Sequence, residues 1–294
     1  MDRRYSIRLG NTHVSVREWS ASEEVQQRTV ILLHGGGVDN ATLSWGETGP
    51  ALAEAGYRVI APDHPGFGDS PRAAWSLTQE NLVAYVGDLI DALGVERYAI
   101  GGLSLGGGMS IGHVLDRPDR VVGAMLLGSY GIMPRLSDGP FAWLSHPATW
   151  MLLRTGLMAT MMRSYTRSPE RMEQGLTSLV RDPARRTPEL VADVLNATKR
   201  EESLEVFEQW QRDQIAWSTL RSDYSPRLGS IVCPALVIHG ERDSGVPVQR
   251  ARHAAQTIPN ATLVEVAGAG HWVQRDAPRI AVPAMTTFLD DLTW

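Results

Sequence analysis

The feature that most constrains the fold of this 294-residue chain is an alternation. Short apolar runs rich in β-branched residues are separated by stretches with helical spacing. Thr29–Leu33, Arg58–Ala61, Tyr98–Gly102, Val121–Leu127, Ala235–His239 and Thr262–Val266 read as strands buried on both faces. Ser6–Leu9 and His13–Trp19 flank Gly10-Asn11 and read as an opening hairpin. Gly46–Ala55, Thr78–Leu93, Leu105–Leu115, Val248–Thr257 and Pro278–Leu289 read as helices. In the second of these, Leu82, Tyr85, Val86, Leu89 and Leu93 form one apolar face, and Gly94 follows as a stop. Strands alternating with helices predict a mostly parallel sheet with helices on both faces.

The alternation stops between about residues 132 and 228, where no run reads as a strand. Helical segments there are broken at Pro140, Pro147, Pro169, Pro183 and Pro188. The stretch holds six of the ten methionines (Met133, Met151, Met158, Met161, Met162, Met172) and four of the nine tryptophans (Trp143, Trp150, Trp210, Trp217). Any one of them is most simply a packing residue. As a group they read as adaptable apolar surface over a site. The expected organisation is a core of residues 1–131 and 229–294 with a helical cap, 132–228, inserted between two strands.

Composition removes several function classes. With 28 basic and 33 acidic residues the net charge is −5, so the basic field that nucleic acid or an anionic membrane needs is missing. Cys233 is the single cysteine, which excludes an internal disulfide and a multi-cysteine metal site. No histidine pair has the i, i+4 spacing of a helical metal site, and no metal or cofactor is expected. The N-terminus has no apolar signal-peptide core, and the stretch from Met151 to Met162 is too short to span a bilayer and contains Arg154. A cytoplasmic location is the resulting expectation.

The chemistry gathers at the ends of the strands. Gly102-Leu103-Ser104-Leu105-Gly106 follows one apolar strand and opens a helix. A serine on such a sharp turn is held in a strained backbone conformation with its hydroxyl exposed at the sheet edge, and the helix N-terminus favours developing negative charge. The run overlaps a dinucleotide-binding fingerprint in composition, but it does not follow the first strand. His34-Gly35-Gly36-Gly37 follows Thr29–Leu33, so the N–H of Gly36 can pair with that of Leu105 as an oxyanion hole. His34 itself reads as a brace. A serine nucleophile needs a base and an orienting acid. His271, in Gly270-His271-Trp272, and Asp243, in Gly240-Glu241-Arg242-Asp243, fall on loops at the same sheet edge, with Glu241 the runner-up acid. His239, His113 and His253 read as packing or surface residues, and His64 is the other histidine worth testing. Cys233, before Pro234, reads as a packing residue. Leu103, Trp272, Trp143 and Trp210 are the candidate substrate-binding residues.

These motifs, with Pro62-Asp63-His64-Pro65-Gly66-Phe67-Gly68-Asp69-Ser70, resemble the α/β-hydrolase fold superfamily over nearly the whole chain. The resemblance implies an eight-stranded sheet and carries the nucleophile onto Ser104, the acid onto Asp243 and the base onto His271. Serine at position 104 argues against haloalkane dehalogenases and epoxide hydrolases, which use aspartate there. The triple glycine, the Gly-His-Trp ending and the cap length are similar to meta-cleavage-product hydrolases, which cut a carbon–carbon bond in vinylogous diketones. That family usually carries asparagine before the serine, where this chain has Leu103. It also carries a cap arginine before a tryptophan, whereas Arg200 precedes Glu201. These departures make the first expectation a carboxylesterase acting on an apolar ester, with carbon–carbon hydrolysis of a ketone substrate as the alternative. A non-catalytic receptor is the third reading, disfavoured because all three triad residues are present. A homodimer is left open.

Overall fold

The computed structural model describes residues 1–21, 28–136, 138–139 and 141–294. Its centre is one eight-stranded sheet. The strands are β1 (Asp2–Leu9), β2 (Thr12–Trp19), β3 (Thr29–Leu33), β4 (Arg58–Pro62), β5 (Tyr98–Leu103), β6 (Val121–Leu127), β7 (Ala235–Gly240) and β8 (Ala261–Val266). They lie in the order β1-β2-β4-β3-β5-β6-β7-β8. β1 and β2 form the expected antiparallel hairpin, turned at Gly10 with φ 59°, and β2 also pairs antiparallel with β4. The remaining pairs are parallel.

The parallel strands look uniformly apolar, yet their side chains still alternate between two cores. Ile31, Leu33, Ala124 and Leu126 join one core, while Val30, Leu32, Met125 and Leu127 join the other. Opposite pleat faces need apolar residues when helices cover both sides. The helices before the break are α1 (Ala41–Trp45), α2 (Thr48–Glu54), α3 (Gln79–Ala92) and α4 (Leu105–Asp116); α5 (Ala142–Arg154), α6 (Leu157–Thr166), α7 (Pro169–Leu179), α8 (Pro188–Thr198) and α9 (Glu201–Gln214) follow it and pack mainly on one another. The chain closes with α10 (Val248–Thr257), α11 (Val273–Asp276) and α12 (Pro278–Asp290).

Local chemistry accounts for several boundaries. Thr78 caps α3 by accepting the Asn81 N–H. The helix expected over Gly46–Ala55 is α2, and a short helix the sequence reading did not include, α1, precedes it. Asn40 caps α1 by accepting the N–H groups of Thr42 and Leu43, and a second helix starts at Thr48. Pro169 and Pro188 do punctuate the helices, each as a first residue where no donor is required. Pro147, expected as a break, instead lies inside α5, and Pro140 lies outside the described residues. Helices α5–α9 all fall between β6 and β7. No helix among the described residues is long and apolar enough to cross a membrane.

Candidate active site

Ser104 stands between β5 and α4 with φ 51° and ψ −113°, the one non-glycine residue with positive φ among the described residues. Such a conformation costs on the order of 1–3 kcal/mol and persists only where the surroundings over-determine it. Its backbone is held on three sides. The Ser104 N–H donates to the Leu127 carbonyl at 2.9 Å, and its carbonyl accepts from Gly108 at 3.0 Å and Tyr130 at 2.9 Å. The flanking glycines are steric requirements. A methyl on Gly102 would lie 2.2 Å from the Gly106 carbonyl group, and one on Gly106 would lie 2.2 Å from the Leu33 oxygen and 2.6 Å from the His34 oxygen. Gly106→Ala is therefore expected to cost more than about 4 kcal/mol or to abolish folding, because backbone cannot move aside as a side chain can. Denaturant unfolding tests this, and a loss below about 1 kcal/mol would show that α4 can back away from β3.

The His34–Gly37 loop faces Ser104. Buried Asp39 anchors it, accepting the Gly35 N–H at 2.7 Å and the Ser44 hydroxyl at 2.6 Å. Burial pushes the Asp39 carboxyl up to about 6, against the pull of these donors. His34 is wholly buried. Its Nε2 accepts the His64 N–H at 2.9 Å, and the two imidazoles stack with centroids 3.9 Å apart. Burial holds His34 well below its ordinary value and takes His64 down to about 4. Both rings are braces under the loop.

Asp243 and His271 meet across the loops after β7 and β8. His271 Nδ1 donates to the Asp243 carboxylate at 2.8 and 2.9 Å. The same carboxylate accepts the N–H groups of Gly245 and Val246 at 2.7 and 2.9 Å, and His239 Nε2 approaches it at 3.3 Å. Burial opposes ionisation of Asp243, but His271, His239 and the Val246 N–H together hold the carboxyl below its ordinary value. Glu241 is turned elsewhere, accepting the Gly268 N–H at 2.9 Å. The His271 loop is stitched to the inserted helices: Trp272 N–H donates to the Leu179 carbonyl, and Asp276 accepts from Gly270, Arg181 and Asp182.

Ser104 and His271 line one cavity of about 570 Å3. Its floor includes Gly35, Gly36, Gly37 and Trp272. Its walls are Met158, Met161, Met162 and Arg163 of α6, Met172 and Leu176 of α7, and Leu204, Glu205, Phe207, Glu208 and Gln211 of α9. Not every expected binding residue faces it. Trp143 is 68% exposed and away from the lining. Trp210 is buried behind the wall, its Nε1 donating to Gln79 at 2.9 Å. Leu103 is wholly buried and is not itself in the lining; it packs under the cavity floor, where a methyl on Gly35 would lie 3.7 Å from its Cδ2. Leu105 is also buried, at the first position of α4, where a backbone N–H has no intrahelical acceptor. The sequence reading missed Arg163 and Phe207. Arg163 is the one lysine or arginine in the lining, and it has no ion-pair partner among the described residues. Arg200, which lacks the following tryptophan of the similar family, is tied to Asp69 and the Gly68 carbonyl beside a separate cleft. Cys233 is buried and free, its thiol pushed up to about 11 by burial. Among the described residues no group of three histidine, cysteine, aspartate or glutamate side chains could hold a metal ion.

The model of the alpha/beta hydrolase fold family matches residues 28–278. A 2-hydroxy-6-oxononadienedioate/2-hydroxy-6-oxononatrienedioate hydrolase of Paraburkholderia phymatum is 32% identical over 253 residues, 84% of this chain and 82% of its own. A 2-hydroxy-6-oxo-6-phenylhexa-2,4-dienoate hydrolase of Burkholderia cepacia is 32% identical over 256 residues, 85% of this chain and 83% of its own. Among solved structures, a meta-cleavage product hydrolase of Pseudomonas fluorescens, a mutant complexed with acetates, superposes with a TM-score of 0.77 at 26% identity over 98% of this chain and 97% of that one. These relatives overturn the carboxylesterase expectation, since the compounds they are named for contain no ester. One argument behind that expectation also fails on geometry, because a cation does line the cavity on the inserted helices, at Arg163. The chain is a hydrolase, and it belongs to the alpha/beta hydrolase fold family.

Proposed function

We propose that this protein hydrolyses a carbon–carbon bond in 2-hydroxy-6-oxo-dienoates of the meta-cleavage type. The observation that carries the reading is the similarity above 30%, over more than four fifths of the chain, to hydrolases named for such dienoates. A 2-hydroxy-6-oxo-dienoate has no ester or amide, so its hydrolysis must break the C5–C6 bond beside the ketone. Water contributes OH to C6, which leaves as a carboxylic acid, and H to the departing dienoate.

The residues fit that chemistry. Moving the 2-hydroxyl proton to C5 gives the keto form. Ser104 Oγ then attacks C6 while His271 accepts its proton, and Asp243 holds the His271 Nδ1–H and balances the imidazolium. The N–H groups of Gly36 and Leu105 receive the oxyanion. Collapse breaks C5–C6, the electron pair flows through the C3–C4 double bond of the keto form to the C2 oxygen, giving the dienol, and water releases the acyl group from Ser104. Helices α5–α9 act as a cap, keeping bulk water from the intermediate, and Arg163 attracts the C1 carboxylate.

The test is loss of the conjugated dienolate absorbance when purified protein meets 2-hydroxy-6-oxo-6-phenylhexa-2,4-dienoate, with identification of benzoate as product. Absence of turnover by the wild-type protein overturns the reading. Arg163→Leu should raise KM roughly three- to tenfold with little change in kcat, the low end for a charge-assisted contact because Arg163 is exposed to solvent. An unchanged KM would remove Arg163 from the carboxylate site.

A further inference from the structure

Phe207 of α9 sits directly on the glycine loop. A methyl placed on Gly36 would lie 2.2 Å from its Cε2. The ring is fixed from behind. It stacks on Trp210 at 5.5 Å with planes 14° apart, and Trp210 meets Tyr130 edge-on at 4.8 Å. Tyr130 donates its N–H to the Ser104 carbonyl. Three rings thus connect the loop after β3 with the loop after β6, and both loops border Ser104. Val206, the preceding residue, rests on Gly66, where a methyl would come within 2.7 Å, so the placement of α9 is set by backbone contact.

The attacked carbonyl carbon must lie between Ser104 and the Gly36 N–H. Whatever else is bonded to that carbon lies one bond from the oxyanion site, and Phe207 is the side chain packed on Gly36 there. The α9 wall offers that group Leu204, Phe207 and Gln211 together with Glu205 and Glu208, whose carboxylates pair with Arg72 and Arg212. It offers no cation. Arg163 on α6 is the single arginine or lysine of the lining. A second carboxylate placed against this wall would meet Glu205 and Glu208 and no unpaired cation, which is unfavourable.

We infer that Phe207 is a specificity-determining residue that selects dienoates with an uncharged, flat C6 substituent, while the want of a second lining cation disfavours those whose C6 substituent ends in a carboxylate. The inference rests on the carbon–carbon hydrolase reading and narrows its substrate class. The two kinds of substrate are those for which the relatives are named, the 6-phenyl dienoate and the nonadienedioate.

The experiment compares kcat/KM for these two compounds in wild-type protein, Phe207→Leu and Phe207→Ala, with thermal melting of each. Wild type should favour the 6-phenyl compound by at least about tenfold. Phe207→Ala should lower kcat/KM for the 6-phenyl compound by roughly ten- to a hundredfold and change that for the dioate less than about threefold, with Phe207→Leu between. A merely structural role would lower both substrates equally and overturn the inference. Wild-type preference for the dioate would overturn it too, while leaving the carbon–carbon reading intact. Turnover of neither compound would overturn that reading and the inference with it.

Discussion

Replacing Ser104 with alanine should abolish turnover by a factor on the order of 10⁴–10⁶ while leaving the melting temperature within a few degrees of wild type. The two halves of this expectation come from different atoms. The structural work at this position is done by the backbone, through the N–H donated to Leu127 and the carbonyl that receives Gly108 and Tyr130. None of these bonds involves the hydroxyl. The strained φ of 51° is imposed by those same bonds and by the close approach of Gly102 and Gly106, and alanine is strained there as serine is. Ser104 lines the cavity, and removing its hydroxyl takes away the proposed nucleophile alone. Stopped-flow and steady-state assays with a meta-cleavage dienoate, alongside calorimetry, measure both quantities. Activity above a few per cent of wild type would show that water is activated without Ser104. A loss of more than about 2 kcal/mol in stability would show that the hydroxyl has a packing role the geometry does not reveal.

Asp243→Asn should cost about 10⁴ in kcat, whereas Glu241→Gln should stay within about threefold of wild type. An asparagine at 243 can still accept from Gly245 and Val246, but it can present an N–H to His271 and so favour the wrong tautomer of the base. Glu241 makes its bond to Gly268 instead, outside this chain of groups. The two variants also separate in their response to acid. The folded-state value of Asp243 lies below its unfolded value of 3.8, so its ionised form stabilises the fold above that value. That contribution is lost as pH falls through the depressed value. Wild-type stability should therefore decline on acidification below about pH 4, and the part owed to Asp243 should be absent from Asp243→Asn at every pH. Urea unfolding across an acid series measures it. A Glu241→Gln enzyme as inactive as Asp243→Asn would move the acid to 241.

The elbow, the glycine loop and the order of serine, acid and histidine were legible because each is a local device. Gly102 and Gly106 are glycines because backbone lies within about 2.2 Å of any methyl there, and such a demand writes itself into two residues at fixed spacing. The strands were legible for a related reason: covering a sheet on both faces requires unbroken apolar runs. The binding surface was not legible in the same way. Tryptophans 143 and 210 had the right chemistry, but one faces solvent and the other is consumed in the ring stack behind Phe207. Leu103 was assigned to the pocket from its neighbour Ser104, yet it is wholly buried beneath Gly35 and does not reach the lining.

By itself, then, the sequence determined the parallel sheet, the strained serine turn and the histidine and acid on neighbouring loops. Each follows from steric or periodic rules spanning a few residues. Only the tertiary structure decided which faces of α6, α7 and α9 look into the cavity. Each of those helices has an apolar face, but local pattern does not say whether that face meets the core, the cavity or a neighbouring helix. Long-range contacts decide it: Val206 against Gly66, Phe207 against Gly36, and the Leu179 carbonyl against the Trp272 N–H. With those contacts made, Arg163 and Phe207 line the cavity and Trp143 does not.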